Sequence, residues 1–178
     1  MGEYKTLNRE LIYTGKIFSL VQDTISMPDG RTAKWDMVQH NGAVCVLPVD
    51  SDGNIIFVRQ FRQAAEGVVL ELPAGRLEPG EDPILAAHRE LEEETAFKAG
   101  DMRLMVSMYM AVGYSNELIH MYAAKDLYPG KLNLDEDEFI DVEKYSLDEA
   151  VKMIFSGEII DSKTIAGILM YKNLEGGF

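Results

Sequence analysis

Residues 75–97, GRLEPGEDPILAAHRELEEETAF, gather the side chains of this sequence best suited to chemistry: Glu81, Arg89, Glu90, Glu93 and Glu94. A helix over this stretch puts Glu90 and Glu94 at i and i+4, with both carboxylates on one side. Carboxylates so close repel each other, and a divalent cation is the usual remedy. Hard oxygen ligands select Mg²⁺, or Mn²⁺ as a substitute. Arg89 and Glu93 are also four apart, so they can pair and fix the helix face. Read alone, the hexapeptide from Arg89 to Glu94 also describes an ordinary solvated helix face. Gly75, Glu81 and the strand and turn ahead of them favour the metal reading.

The helix has a defined start. Asp82 can cap it and Pro83 suits the first helical position. Ile84, Ala87 and Leu91 form the stripe expected to face a core, and the helix should end near Glu94 or Thr95. Ahead of it, 43–49 and 55–61 read as strands joined by a turn at 50–54, and 68–72 reads as a short strand ending at Pro73. The first forty residues read as a small β unit, with strands 18–25 and 32–39 around a turn at 27–30. After the helix come strands at 102–109, 117–124 and 139–145. Ser146 and Glu149 make a capping box for a helix over 147–155 that stops near Gly157. Asp161 or Ser162 caps a last helix over 163–172. This order gives an α+β class, divided into residues 1–41 as an N-terminal antiparallel β unit and 42–178 as the main domain.

The net charge of −13 argues against a nucleic-acid partner but not against a small anionic substrate held through a metal. No apolar run reaches membrane-spanning length and residues 1–20 lack a signal pattern, so the expectation is a cytoplasmic protein with no membrane contact. The one cysteine, Cys45, lies in the apolar run GAVCVLPV and reads as a buried structural thiol. His40, His88 and His120 lack metal-ligand spacing and receive no role.

The spacing Gly75, Glu81, Arg89-Glu90-Leu91, Glu93-Glu94 and Phe97 resembles the box of the Nudix hydrolases. One position departs from it: Ala96 stands where the family usually has glycine, at a helix exit where positive φ favours glycine. The resemblance implies a Nudix fold, a mixed β-sheet sandwiched between helices. It implies water attack on the pyrophosphate of a nucleoside diphosphate linked to another moiety, with divalent ions neutralising charge and activating the water. It makes Glu90 and Glu94 the main metal ligands, Glu93 a further one, and the Ala74 carbonyl another. Glu81 and Arg89 become supports.

Outside the box, VRQFR at 58–62, ELPAG at 71–75, GYSNE at 113–117, IHMY at 119–122 and LDEDEF at 134–139 resemble the ADP-ribose pyrophosphatase branch. The similarity covers about residues 42–169. It implies hydrolysis of ADP-ribose to AMP and ribose 5-phosphate, with a general base in the late acidic loop: Glu136 first, Glu138 second. An isolated acidic run of this kind also reads as a solvated loop. Arg59 and Arg62 are candidates for phosphate or ribose contacts, but strand alternation puts them on opposite faces, so one of them is expected to touch substrate. Glu71 is a candidate for a sugar hydroxyl or a supporting contact, and Trp35 for stacking on the base. Each of these four has an equally ordinary structural reading.

Val112 replaces a proline usual in that branch, which keeps GDP-mannose or another nucleoside diphosphate sugar open as substrate. The resemblance also implies a homodimer built through the N-terminal strands. A small hairpin unit cannot bury both its faces alone, which agrees with that. Two non-catalytic readings compete: a nucleotide-sensing Nudix domain and an acidic metal- or protein-binding module.

Overall fold

The computed structural model describes residues 3–134 and 138–174. By its internal contacts the chain divides into two compact units, Met1–Gly42 with Tyr109–Leu118, and Ala43–Met108 with Ile119–Phe178. The first holds a three-stranded antiparallel sheet of β1 (Lys5–Thr14), β2 (Ser19–Ser26) and β3 (Thr32–Gln39), in that order. Alternation along β2 buries Val21, Asp23 and Ile25. The buried Asp23 receives Nε and Nη2 of Arg9, both at 2.6 Å, and this bond holds its carboxyl below the usual range. β1 has no counterpart among the expected strands, and all ten of its residues are exposed.

The second unit is built on a mixed sheet ordered β7-β4-β9-β8. Its strands are β4 (Ala43–Pro48), β7 (Ala74–Arg76), β8 (Phe97–Tyr109) and β9 (Leu118–Pro129). β4 runs parallel to β9 and antiparallel to β7, and all six of its residues are buried. A strand covered on both faces is apolar at consecutive positions, as AVCVLP is. A second, antiparallel sheet pairs β5 (Asn54–Arg62) with β6 (Gly67–Glu71) on one side and β10 (Ile140–Ser146) on the other. The turn at 50–54 joins β4 to β5, as expected, and carries the chain from one sheet to the other. One isolated bridge, Val49 to Ile55, links the residue after β4 to β5, and the two strands then enter different sheets.

Helices cover the mixed sheet. Helix α1 (Pro83–Thr95) packs Ala86, Ala87 and Leu91 onto Val44, Val46, Tyr122 and Ala124. The opposite face carries Cys45 and Met121, and there α3 (Ser162–Leu174) approaches. It does so at Gly167, where a Cβ would stand 2.7 Å from Met121 Sδ and 2.9 Å from Leu72 Cδ1. The mixed sheet is thus sandwiched between helices, as the resemblance implies. Burial pushes the Cys45 thiol up to about 12, consistent with a structural role. α2 (Leu147–Ser156) begins with the expected capping box of Ser146 and Glu149. Among the described residues no helix is long and apolar enough to cross a membrane.

Two details of α1 differ in kind. Its stripe is Ala86, Ala87 and Leu91 rather than Ile84, Ala87 and Leu91; Ile84 lies in the first turn, 37% exposed. At its exit Ala96 is left-handed, φ 56° and ψ 26°, and its N–H reaches the Glu92 carbonyl. The departure from glycine therefore falls on a strained backbone position. Ala96→Gly is expected to stabilise the fold by about 1 kcal/mol, seen as a Tm rise of roughly 2–4 °C. An unchanged or lower Tm in thermal melts would show that the strain is negligible.

Candidate active site

The segment between the two sheets delivers the site. β6 ends at Glu71, and the chain passes through Leu72 and Pro73 into β7. Three contacts fix this passage. Leu72 N–H donates to Thr164 Oγ1 at 2.9 Å, Val46 N–H donates to the Pro73 carbonyl at 2.8 Å, and Ala74 N–H donates to Glu94 Oε2 at 3.0 Å. Gly75 follows, paired with Val44 of β4. A Cβ at Gly75 would stand 2.0 Å from the Glu90 carboxyl carbon. Glycine is required here for close approach, not for backbone conformation.

Helix α1 starts where expected: Asp82 Oδ1 accepts the Ile84 N–H, and Pro83 is first in the helix. Its Arg89 gathers the acidic side chains. Nε and Nη2 bind the two oxygens of Glu81 at 3.0 Å each, and Nη1 reaches Glu90 at 2.7 Å and Glu93 at 3.0 Å. Nη2 also approaches the Arg76 carbonyl at 3.3 Å. The bond from Arg89 draws Glu81 below the usual carboxylate range.

Glu94 and Glu90 shift the other way from Glu81. Burial pushes the Glu94 carboxyl up to about 8; the Ala74 N–H and Arg62 oppose this, while Glu90 and Glu138 add to it. Burial also raises Glu90, against Arg89, with Glu93 and Glu138 adding repulsion. These are the signs of a carboxylate cluster short of positive charge. A divalent cation beside Glu90 and Glu94 would favour their charged forms. Among the described residues no three His, Cys, Asp or Glu side chains come together in a group that could by itself hold a metal ion. Two carboxylates four apart, held against a close-packed glycine, fit a metal that also takes oxygens from substrate or water.

The chain just after β9, residues 130–133, lies beside this cluster. Gly130 N–H donates to the Ala96 carbonyl at 2.8 Å, Lys131 N–H to Glu92 Oε1 at 3.2 Å and Asn133 N–H to the Glu93 carbonyl at 3.0 Å. The chain after β9 is thereby laid along the end of α1. An open cleft of about 300 Å³ between them is lined by Arg89, Glu92, Glu93, Lys131 and Asn133. Glu138 lies close enough to Glu90 and Glu94 to push both carboxyls up. Glu136 falls outside the described residues.

The remaining candidates fall in separate places. Arg59 is held by Glu143 at 2.6 Å and Glu158 at 3.2 Å. Arg62 binds both oxygens of the buried Glu71, at 2.6 and 3.0 Å, and its charge is felt at Glu94. The two arginines thus engage different partners, and Arg62 is the one whose charge reaches the carboxylates. Glu71 also receives Lys163, a buried lysine, so it is an internal charge partner in this structure. Trp35, 49% exposed, lies in the first unit with its ring centroid 5.8 Å from that of Tyr4.

Lys163 and Thr164 were not among the residues singled out by spacing. Each acts across 92 positions of sequence. The available signal was Asp161, whose Oδ2 accepts from Thr164 N–H at 3.0 Å, Thr164 Oγ1 at 2.6 Å and Lys163 Nζ at 2.9 Å.

The fold and the box-like site define a Nudix protein, and the model of the NUDIX domain matches residues 39–166. The chain belongs to the Nudix family and is a hydrolase of that family. It is 40% identical over 168 residues to the ADP-ribose pyrophosphatase of Bacillus subtilis (strain 168), covering 93% of this chain and 91% of that protein. It is equally similar, with the same coverage, to the methanol dehydrogenase activator of Bacillus methanolicus. A crystal structure of an ADP compounds hydrolase superposes with a TM-score of 0.88 at 24% identity, covering 99% of this chain and 96% of that one, which shows the fold.

Proposed function

We propose that the chain hydrolyses the pyrophosphate bond of ADP-ribose, giving AMP and ribose 5-phosphate, with Mg²⁺ as the physiological ion and Mn²⁺ as an active substitute. The observation that carries this reading is the carboxylate pair of Glu90, half-buried and packed on Gly75, and Glu94, buried and held by the Ala74 N–H, with burial and neighbouring carboxylates raising both. The name of the Bacillus subtilis relative supplies the substrate. In this reading Glu90, Glu94 and the Ala74 carbonyl hold the ion, and Glu93 provides a further oxygen. When bound, the ion neutralises the pyrophosphate and lowers the pKa of a water. Arg89 fixes Glu81, Glu90 and Glu93 in register.

A carboxylate of the acidic segment, Glu136 or Glu138, takes the proton of the attacking water. The electrostatic coupling of Glu138 to the ligands favours it for that role. Both arginines are engaged by carboxylates, Arg59 by Glu143 and Glu158 and Arg62 by Glu71, and Arg62 is the one suited to a substrate phosphate because its charge reaches Glu94. Trp35 offers a half-exposed ring to an adenine. The protein works as a homodimer in the cytoplasm. The first unit supports the dimer, because β1 leaves Leu7, Leu11, Ile12 and Tyr13 exposed.

The test is a substrate panel of ADP-ribose, GDP-mannose, ADP-glucose, NADH and diadenosine polyphosphates with Mg²⁺. ADP-ribose should be the fastest, releasing AMP, and EDTA should stop the reaction. Faster turnover of GDP-mannose would move the assignment to another sugar nucleotide, and no turnover would move it to nucleotide sensing. Light scattering should give twice the monomer mass; a monomer would remove the dimer. The relative named as a methanol dehydrogenase activator favours a second reading, activation of a dehydrogenase. It predicts a faster methanol dehydrogenase in the presence of this protein.

A further inference from the structure

The first turn of α3 lies on the sheet face opposite α1, yet it is tied to the site through the main chain. β6 pairs with β5 only as far as Glu71, so the Leu72 N–H lies beyond the ladder. It is satisfied by the hydroxyl of the fully buried Thr164. That hydroxyl in turn donates to Asp161 Oδ2 at 2.6 Å. Lys163, 9% exposed, joins Asp161 to Glu71, and Glu71 holds the guanidinium of Arg62. Two residues after Leu72, Ala74 N–H grips Glu94. The strip from Glu71 to Ala74 is therefore clamped from both faces of the sheet, by α3 at one end and by α1 at the other.

We propose that Thr164 is a positioning residue for the metal site, with Asp161 fixing its hydroxyl, and that Lys163 sets the place of Arg62 through Glu71. This rests on the reading of Ala74 and Glu94 as metal ligands. A buried N–H deprived of its acceptor seeks another, and the short link from Leu72 to Ala74 transmits that shift to the Ala74 carbonyl and to the Glu94 carboxylate. Valine has the shape of threonine without the hydroxyl, so Thr164→Val removes the bond with little change in volume. Serine keeps the bond and loses a methyl group.

The experiment measures Mn²⁺ binding directly, by calorimetry or by the loss of the free-ion electron paramagnetic resonance signal, on folded wild type, Thr164→Val and Thr164→Ser. Thr164→Val should weaken Mn²⁺ binding by about tenfold, the size expected from one orphaned buried donor, while Thr164→Ser stays close to wild type. Asp161→Ala, which frees the hydroxyl to turn away, should weaken Mn²⁺ in the same direction and serves if Thr164→Val does not fold. Wild-type Mn²⁺ affinity in folded Thr164→Val or Asp161→Ala overturns the proposal. So does equal weakening in the serine and valine variants, which would assign the effect to packing. Failure of the wild type to cleave any sugar nucleotide would overturn the proposed reaction but leave this comparison intact.

Discussion

Glu94→Gln should nearly abolish hydrolysis and at the same time raise the stability of the metal-free protein. The activity arm follows from the ligand role. Several kcal/mol of charge stabilisation by the ion corresponds to a loss in kcat of roughly 10³-fold or more. The stability arm follows from burial. With burial pushing its carboxyl up to about 8, folded Glu94 keeps its proton toward that pH, whereas the unfolded carboxyl releases it near the ordinary glutamate value of 4.5. Between those values the folded state binds more protons than the unfolded state, so metal-free stability falls as pH rises through the window. Glutamine is neutral throughout, and its amide oxygen can still accept the Ala74 N–H. The Tm gap between variant and wild type in EDTA should therefore widen from about pH 5 to about pH 8. Adding Mg²⁺ should close it, by stabilising only the wild type. A metal-free variant less stable than wild type at the upper end of the window, or one with ordinary activity, would remove Glu94 from the ligand set.

What could be read from the sequence was what local chemistry decides. Asp82 and Pro83 start α1 because a cap and a fixed φ need no distant partner, and the placement of Glu90, Glu93 and Glu94 follows from helical periodicity. Ala96 was legible as an irregular exit for the same reason, and its positive φ agrees. The errors lie where pairing over long distances decides. The turn at 50–54 joins two strands as read, but strand partners are chosen by the sheets, and β4 takes β9 and β7, a pairing the local sequence does not disclose. β7 is three residues long and exists only because it pairs with residues 43–45. β1 has no buried face within its own unit, so its sequence carries no alternation that burial would impose. For Glu71 the sequence leaves a substrate contact and a supporting one open, because it does not reveal that Arg62 and Lys163 both converge on it. Thr164 could not be found from the box at all, since its bond to Leu72 depends on how α3 is laid on the sheet.

Gly75→Ala should cost more activity than stability, although it adds only a methyl group. The new Cβ would meet the carboxyl carbon and one oxygen of Glu90 at 2.0 Å and the other oxygen at 2.2 Å, so something must move. The Gly75 backbone is held by its pairing with Val44, and β4 is wholly buried, which makes retreat of the strand the dearer route. The Glu90 side chain is the softer partner. Rotating it away breaks its 2.7 Å bond from Arg89 and carries the carboxylate off the face it shares with Glu94. Overpacking of this kind costs about 1–3 kcal/mol of stability. Displacing a reacting group or ligand by about 1 Å costs on the order of 10²-fold in rate. The expected result is a folded variant with a modest drop in Tm, kcat lowered by roughly two orders of magnitude, and a raised Mg²⁺ requirement. Truncating the obstructing side chain in the double variant Gly75→Ala with Glu90→Ala should restore the lost stability but not the activity. Near-normal kcat in the single variant would mean that Glu90 can carry out its role from another rotamer, and that the close approach at Gly75 serves packing alone.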